Sequence, residues 1–230
     1  MSSKFKMNKL YRAYKKNLRS ARHKKTIVFI GDSITDVEFN KRTASLNAKK
    51  CWPLQVMDQL GTVSYHPVYK GIASNRSYHV YDRFSVDCLD HNPDFVIMLI
   101  GVNDAWSVYE PADYLERSRV HISNRPFEPH FDEMMRRLKA EAPDAKVILM
   151  TPFVISTIAE KLPFKDFLAP YVQHILEKAK EYGFESIELQ SEFDKAEENT
   201  PPALLSTDGV HPTTKGHSVI ANAVLKKLTE

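Results

Sequence analysis

The sequence predicts an α/β fold in which a parallel β-sheet is covered by helices on both faces. Continuous apolar runs alternate along the chain with segments of helical periodicity, and this alternation is typical of parallel sheets with helical crossovers. Several of the runs lead into a glycine and a polar turn, as buried parallel strands do where they end. Right-handed crossovers bring the carboxyl ends of such strands to one edge of the sheet, where α/β proteins bind their ligands.

Length and composition favour a single globular domain, with two small domains as the less favoured alternative. The chain has 230 residues, of which 43% are hydrophobic and 27% charged, and this length allows a sizeable core. No apolar run approaches the ~20 residues that span a bilayer, and the N-terminus lacks the apolar stretch of a secretory signal, so we expect a cytoplasmic protein. The two cysteines, Cys51 and Cys88, suggest neither a disulfide framework nor a zinc site, and we expect buried, reduced thiols.

Residues 1–25 differ in charge from the rest of the chain. They hold ten Lys and Arg residues and no Asp or Glu, so their formal charge is +10. Because the whole chain has a net charge of +3, residues 26–230 carry −7. Their apolar residues recur at roughly helical spacing and predict a basic amphipathic helix. These residues are Phe5, Leu10, Tyr11, Tyr14, Leu18 and Ala21. The favoured interpretation is a helix that packs on the domain or on another subunit. A membrane-surface helix, a nucleic-acid arm and a transit peptide are alternatives.

The first predicted strand is Ile27–Ile30, four apolar residues of which three are β-branched, and it ends at Gly31. The polar residues of the next turn, 32–36, include types that begin helices. A helix is predicted for 52–60, where a glycine follows, and a second, rougher strand for 62–69. These elements give the chain its first strand–helix–strand unit.

The middle of the chain contains the clearest strand, Asp94–Ile100, which enters Gly101. A helical stretch before it extends to about Leu89 and is broken by Asn92-Pro93. After the strand we expect a long polar and aromatic loop over residues 105–129.

The last third completes the predicted sheet with two strands, 146–150 and 186–189, which are separated by a helix over 168–182. A helix near 131–140 precedes them and a final helix over 213–228 follows. The sequence therefore predicts five strands.

Ser33 is the candidate nucleophile because it follows the first strand at the ligand-binding edge. Its backbone N–H would point into the site from the positive end of a helix, which suits a developing oxyanion. A serine also needs a base and a group that orients the base. Asp208-Gly-Val-His211 supplies both, since one turn can bring the carboxylate to the imidazole Nδ1 and leave Nε2 facing Ser33. The alternative is that both segments are ordinary capped turns.

Gly71 and Asn103 are the candidate oxyanion-hole residues, together with the Ser33 N–H. Each follows a predicted strand and should emerge at the same edge of the sheet as Ser33. A glycine lets its backbone N–H approach a substrate oxygen, and an asparagine side chain adds a further donor. Both residues also fit plain turns.

In four motif blocks the chain resembles the SGNH (GDSL-type) hydrolases over residues 26–228. The blocks are Gly31-Asp32-Ser33, Gly71, Gly101-Val102-Asn103-Asp104 and Asp208-Gly209-Val210-His211. The resemblance implies a three-layer α/β/α sandwich around a five-stranded parallel sheet, similar to flavodoxin, formed by residues 26–230. It further implies that Ser33 is the nucleophile, His211 the general base and Asp208 its orienting partner, with Ser33, Gly71 and Asn103 as the oxyanion hole.

A narrower resemblance is to the intracellular acetyl-xylooligosaccharide esterase branch of that family. It rests on the segments 31–36, 70–75, 101–106 and 149–153. That branch has Ser-Gly where this chain has Ala73-Ser74, and the basic residues 1–25 lie outside the resemblance.

We therefore expect a serine esterase that acts on short-chain esters of a soluble carbohydrate or similar small molecule, with acetyl as the favoured acyl group. Asp32 and Trp106 are expected to contact the substrate. The predicted mouth loops, 37–50, 105–129 and 192–207, are polar with single aromatics, which suits a short acyl group and a hydroxyl-rich alcohol. A lysophospholipase or thioesterase and a non-catalytic binding module are the alternatives.

No cofactor or metal is expected, since no Glu or Cys completes a ligand set with His211 and His217 and no phosphate-binding glycine loop is present. We expect no nucleic-acid partner and a homo-oligomeric protein. Membrane contact through the basic N-terminal helix is the less favoured alternative.

Overall fold

The computed structural model describes residues 24–43, 50–118 and 125–230. These residues form a five-stranded, wholly parallel sheet with helices on both faces, which confirms the predicted fold class. The predicted basic helix lies outside the described residues except for Lys24 and Lys25, and Lys25 already begins the first strand. The division of the chain at residue 25 therefore stays a prediction.

The sheet has the strand order β2-β1-β3-β4-β5. Its strands are β1 Lys25–Gly31, β2 Tyr65–Gly71, β3 Phe95–Leu99, β4 Lys146–Met150 and β5 Glu185–Ile187. The chain proceeds from β1 to one side and then from β3 to the other, so the direction of winding reverses between these two strands. In open α/β sheets this reversal creates a crevice at the carboxyl ends of the strands, where ligands bind.

The helices cover both faces of the sheet. They are α1 Val37–Arg42, α2 Trp52–Leu60, α3 Ser77–Asp82, α4 Phe84–Asp87, α5 Val102–Tyr109, α6 Pro111–Ser118, α7 Phe127–Glu141, α8 Leu162–Tyr182, α9 Leu189–Glu197 and α10 Thr214–Thr229. Helices α2, α9 and α10 pack on one face and α3, α4 and α7 on the other, whereas α8 contributes to both. This arrangement is the predicted three-layer sandwich.

Strand β1 shows why the predicted strands were continuous apolar runs. Ile27 and Phe29 face one apolar cluster, Val28 and Ile30 face the other, and all four are fully buried. Successive side chains of a strand point to opposite faces, so a strand covered on both sides needs apolar residues throughout. Each such side chain contributes roughly 1.5–3 kcal/mol through burial.

The prediction of a long loop over residues 105–129 is wrong for the residues of this segment that the structure describes, 105–118 and 125–129. Helix α5 continues from β3 to Tyr109, α6 follows at once, and α7 begins at Phe127. Val102 and Ala105, three residues apart, are both buried in α5. The sequence therefore has an apolar spacing that fits a helix, but the polar and aromatic residues around it made the segment look like a loop. Helices α1 and α9 likewise lie in segments that were expected to be loops.

Both cysteines are buried and free, as expected. Burial raises the pKa of the Cys51 thiol to about 11 and also raises the pKa of Cys88. Neither thiol is therefore a ready nucleophile at neutral pH. In the part of the chain that the structure describes, no helix combines the length and the apolar character needed to cross a membrane.

Candidate active site

The turn that carries Ser33 begins where β1 meets β3. A Cβ atom at Gly31 would overlap the carbonyl oxygen of Leu99, so the close approach of the two strands requires glycine. After the turn, the Asp36 side chain caps α1 by accepting a hydrogen bond from the Phe39 N–H at 2.9 Å. Ser33 is thereby held at the winding reversal, with 6% of its surface exposed.

The structure brings Ser33, His211 and Asp208 together as the sequence predicts. The Ser33 hydroxyl donates to His211 Nε2 at 2.9 Å. The other ring nitrogen of His211, Nδ1, donates to Asp208 Oδ2 at 2.8 Å. These two contacts assign the ring proton to Nδ1, which leaves Nε2 as the acceptor that a general base requires.

A tight loop holds Asp208 and His211 in this geometry. Asp208 Oδ1 accepts hydrogen bonds from the backbone N–H groups of Val210 at 2.9 Å and His211 at 2.7 Å. Between them Gly209 has φ +81°, a conformation that glycine adopts readily. Burial alone would raise the pKa of Asp208, but the hydrogen bonds and the charge of His211 hold it well below its usual range. Asp208 is therefore ionised at neutral pH.

Trp106 lines a cleft of about 320 Å³ beside the His211 loop. The cleft combines apolar and charged side chains. They are Val102, Trp106, Tyr109, Glu110, Glu160, Lys161, Phe164 and Val210. The Lys161 ammonium lies 5.7 Å from the centroid of the Trp106 ring, so one face of the indole is covered by a cation. The cleft includes Val210, the residue before His211, and the contact of Trp106 with substrate stays a prediction.

Asp32 lies beneath the Ser33 turn and not on the wall of this cleft. The residue is fully buried, and its Oδ1 accepts a hydrogen bond from the Ile34 N–H at 3.0 Å. Burial raises the pKa of Asp32 to about 7. The carboxyl thus stabilises the turn from inside, and its contact with substrate stays a prediction.

Gly71 lies at the end of β2, behind the Ser33 turn. Gly71 is the register partner of Gly31 in the parallel sheet. In this register the next residue, Ile72, donates its backbone N–H to the Gly31 carbonyl at 3.1 Å. The amide of Gly71, one residue earlier, consequently points away from β1. A Cβ atom at Gly71 would overlap the backbone of Thr35 and Asp36. Close packing thus accounts for the glycine, and the structure does not bring its amide to Ser33.

Asn103 and the turn after β2 form the other wall of the site. Asn103 lies in the first turn of α5 with 5% of its surface exposed, and its Nδ2 donates to the Asn75 carbonyl at 3.1 Å. The same turn is also attached to the Ser33 turn, because the Ala73 N–H donates to Asp36 Oδ2 at 3.0 Å. Between these anchors Ser74 has φ +63°, a left-handed conformation that is rare for serine.

Sequence reasoning missed Asn40 and its contact with His217. Asn40 Nδ2 donates to the Ser33 carbonyl at 2.8 Å and to the Asp36 carbonyl at 2.7 Å. Its Oδ1 lies 3.2 Å from Nε2 of His217, which is fully buried. Burial and the neighbouring His211 lower the pKa of His217 to about 3, so this histidine is neutral. Asn40 and His217 are 177 positions apart in the sequence, and nothing in the sequence around either residue indicates their contact.

Among the described residues, no group of three or more His, Cys, Asp or Glu side chains is placed to hold a metal ion. His217 contacts Asn40 as described, and His211 contacts Ser33 and Asp208. The two histidines of this region therefore have partners within the protein.

Comparison with known proteins identifies relatives over most of the chain. A model of the GDSL-like lipase/acylhydrolase family matches residues 29–219. The chain is 29% identical over 214 residues to the acetylxylan esterase of Geobacillus stearothermophilus, and the match covers 88% of this chain and 93% of the relative. A GDSL esterase/lipase of Arabidopsis thaliana is 21% identical over 173 residues, which cover 70% of this chain and 64% of that protein.

Solved structures show the same fold. The crystal structure of Axe2, an acetylxylan esterase from Geobacillus stearothermophilus, matches with a TM-score of 0.71 at 26% identity, over 90% of this chain and 94% of Axe2. Three further Axe2 structures are of catalytic mutants, in which a serine, a histidine or an aspartate is replaced by alanine.

Proposed function

Because the chain belongs to the GDSL-like lipase/acylhydrolase family and is a carboxylic ester hydrolase, we propose that it is a serine esterase that removes acetyl groups from acetylated carbohydrates. The observation that carries the proposal is the continuous contact from Ser33 Oγ through the His211 ring to Asp208 Oδ2, at 2.9 and 2.8 Å. These groups have the types and distances of a nucleophile, a general base and an orienting carboxylate.

The reaction proceeds in two halves through an acetyl-enzyme. Ser33 Oγ attacks the ester carbonyl carbon while its proton passes to His211 Nε2. The tetrahedral intermediate expels the sugar oxygen, which takes that proton and leaves acetyl-Ser33. A water then gives a proton to His211 and adds to the acetyl carbon, and collapse releases acetate and returns the proton to Ser33. Asp208 stabilises the imidazolium formed in each half.

The negative charge that develops on the carbonyl oxygen needs donors at the Ser33 edge. The proposal assigns the Ser33 N–H and the Asn103 side-chain amide to this task. Asn103 is buried in the first turn of α5, which follows β3, the strand that pairs with β1, and this position supports the assignment. Removing one such donor typically costs ~10²–10³ in turnover. The packing around Gly71 favours the turn over residues 73–75 as the source of any third donor.

Two observations support an acetyl ester of a carbohydrate as the substrate. The relative with 29% identity is an acetylxylan esterase. The cleft that contains Val210, the residue before His211, has Glu110, Glu160 and Lys161 in its wall beside the indole of Trp106. Charged side chains and an aromatic face suit a hydroxyl-rich alcohol, whereas a long acyl chain requires a continuous apolar channel, since each buried CH₂ contributes ~0.8 kcal/mol.

An acyl chain-length series tests the substrate class. Initial rates on p-nitrophenyl acetate, butanoate, hexanoate and octanoate should give the highest kcat/KM for acetate and a steep fall by butanoate. Release of acetate from acetylated xylooligosaccharides, measured against acetylated glycerol, then tests the alcohol. An optimum at octanoate would favour the alternative of a lipid-directed esterase, and equal rates on the two acetylated alcohols would contradict a carbohydrate substrate.

A further inference from the structure

Arg83, which follows α3 and precedes α4, reaches the backbone behind the candidate active site. Its Nη2 donates to the Gly31 carbonyl at 3.0 Å, and its Nη1 donates to the Lys70 carbonyl at 2.9 Å. Its Nε donates to Asn75 Oδ1 at 3.0 Å. One guanidinium thus connects the end of β1, the end of β2 and the turn after β2.

A carboxylate holds this guanidinium in place. Asp87 Oδ2 accepts from Arg83 Nη1 at 2.8 Å, and Asp87 Oδ1 accepts from the Lys70 ammonium at 2.7 Å. Burial acts to raise the pKa of Asp87, but the hydrogen bonds from Lys70 and Arg83 keep it below its usual value. The Arg83 side chain is only 16% exposed, so its orientation is set by these partners and not by solvent.

The same contacts lead to the proposed oxyanion donor. Asn75, whose side chain accepts from Arg83 Nε, accepts with its backbone carbonyl from Asn103 Nδ2 at 3.1 Å. An amide group has two N–H bonds in one fixed plane, so the hydrogen bond to Asn75 determines where the second N–H of Asn103 points. Any shift of Asn75 would turn that N–H relative to Ser33.

We propose that Arg83 is a positioning residue for the esterase reaction. It holds Asn75 so that the Asn103 amide is aimed at the developing oxyanion, and it holds the Gly31 carbonyl so that the Ser33 turn keeps its place beside that amide. The inference rests on the proposed function, in which Asn103 is an oxyanion donor. The planar fork of arginine suits this task, because it donates to four acceptors in fixed directions, which a lysine ammonium does not.

The kinetic test uses Arg83→Lys and Arg83→Gln in the full-length protein with p-nitrophenyl acetate. Donors aimed at transition-state charge affect turnover more than substrate binding. We therefore expect kcat to fall ~10- to 100-fold while KM stays within about threefold, at a temperature where circular dichroism shows the folded state.

Arg137→Gln is a matched control. Arg137 is 18% exposed, donates from Nε to Glu141 at 2.8 Å and from Nη2 to Ser85 Oγ at 2.8 Å, and lies over the Phe84 ring. Losing its hydrogen bonds should lower the thermal midpoint to a similar degree but leave kcat within about twofold. If Arg83→Gln and Arg137→Gln both lower the thermal midpoint and neither lowers kcat, Arg83 has only a structural role and the proposal is wrong.

A double substitution tests whether Arg83 acts through Asn103. If it does, Arg83→Gln should lower kcat by less than about threefold in an Asn103→Ala background, because the donor it positions is already absent. Independent losses that multiply would overturn the proposal. Should Arg83→Gln not fold, Arg83→Lys and Asp87→Asn carry the same comparison. A wild-type protein without esterase activity would instead overturn the proposed function.

Discussion

Asp32 is next to the nucleophile, yet its carboxyl is sealed from solvent. It accepts one hydrogen bond from the Ile34 N–H, and burial raises its pKa to about 7. In the unfolded chain the pKa of an Asp carboxyl is about 4. Between these pH values the folded state therefore binds more protons than the unfolded state, and the free energy of unfolding falls as the pH rises.

Replacing Asp32 by asparagine should remove this dependence, because the amide keeps the acceptor for Ile34 but carries no charge. We expect Asp32→Asn to match the wild type near pH 4 and to be more stable at pH 8, by a margin on the order of 2–4 kcal/mol. Urea denaturation at both pH values measures the difference. Asp90→Asn, at an exposed carboxylate, is the control and should leave the slope unchanged. A variant as pH-dependent as the wild type would contradict the account of Asp32.

The types of the candidate site residues were predictable, but their directions were not. Ser33, Asp208 and His211 have side chains whose chemistry and spacing predict their contact, and the structure brings them together. Gly71 was assigned a donor role from its place after a strand. Which way a strand amide points depends on register at the level of one residue, and the sequence does not give that register.

At the scale of elements, the turn between β2 and α3 contains backbone strain at the site. Ser74 has φ +63° in the position where the acetyl-xylooligosaccharide esterase branch has glycine. The left-handed region costs a non-glycine residue roughly 1 kcal/mol. Asn92 shares this conformation with φ +48°, but asparagine tolerates it better.

Ser74→Gly should therefore raise the free energy of unfolding by up to about 1 kcal/mol, because relief of strain exceeds the added freedom of the unfolded chain. Asn92→Gly should give a smaller gain or none. Chemical denaturation of both variants beside the wild type measures the comparison. A loss of stability in Ser74→Gly, with none in Asn92→Gly, would show that the serine side chain contributes more than its conformation costs.

The strands were predicted more accurately than the helices. Strands buried on both faces are continuous apolar runs, as in 27–30 and 147–150, and their short length and β-branched residues distinguish them from buried helix segments. Helix α5 was missed because most of its buried residues are polar, and α1 because it has only six residues. Short helices are set by capping and tertiary contacts more than by periodicity.

At the scale of the whole molecule, the residues of the candidate site and its supporting contacts all lie between Gly31 and His217. The basic residues 1–23 are outside the described residues and carry +8, which leaves a net −5 for residues 24–230. We propose that the basic segment serves assembly or surface association through this charge difference.

Deleting residues 1–23 should leave kcat on p-nitrophenyl acetate within a few-fold of the full-length value. The deletion should change the mass in solution or the binding to vesicles of anionic lipid, measured by light scattering and by co-sedimentation at two salt concentrations. A control that replaces the Lys and Arg residues of this segment by glutamine separates charge from length. A folded but inactive truncation would show that part of the active site lies in the segment.

The most direct test of the central claim is active-site labelling with a fluorophosphonate, followed by peptide mass spectrometry. The account predicts one label per chain, on Ser33, with loss of esterase activity in proportion to labelling. It also predicts that Ser33→Ala and His211→Ala prevent labelling while the folded state is retained. A label on another residue, or esterase activity that persists in Ser33→Ala, would contradict the assignment of Ser33, His211 and Asp208.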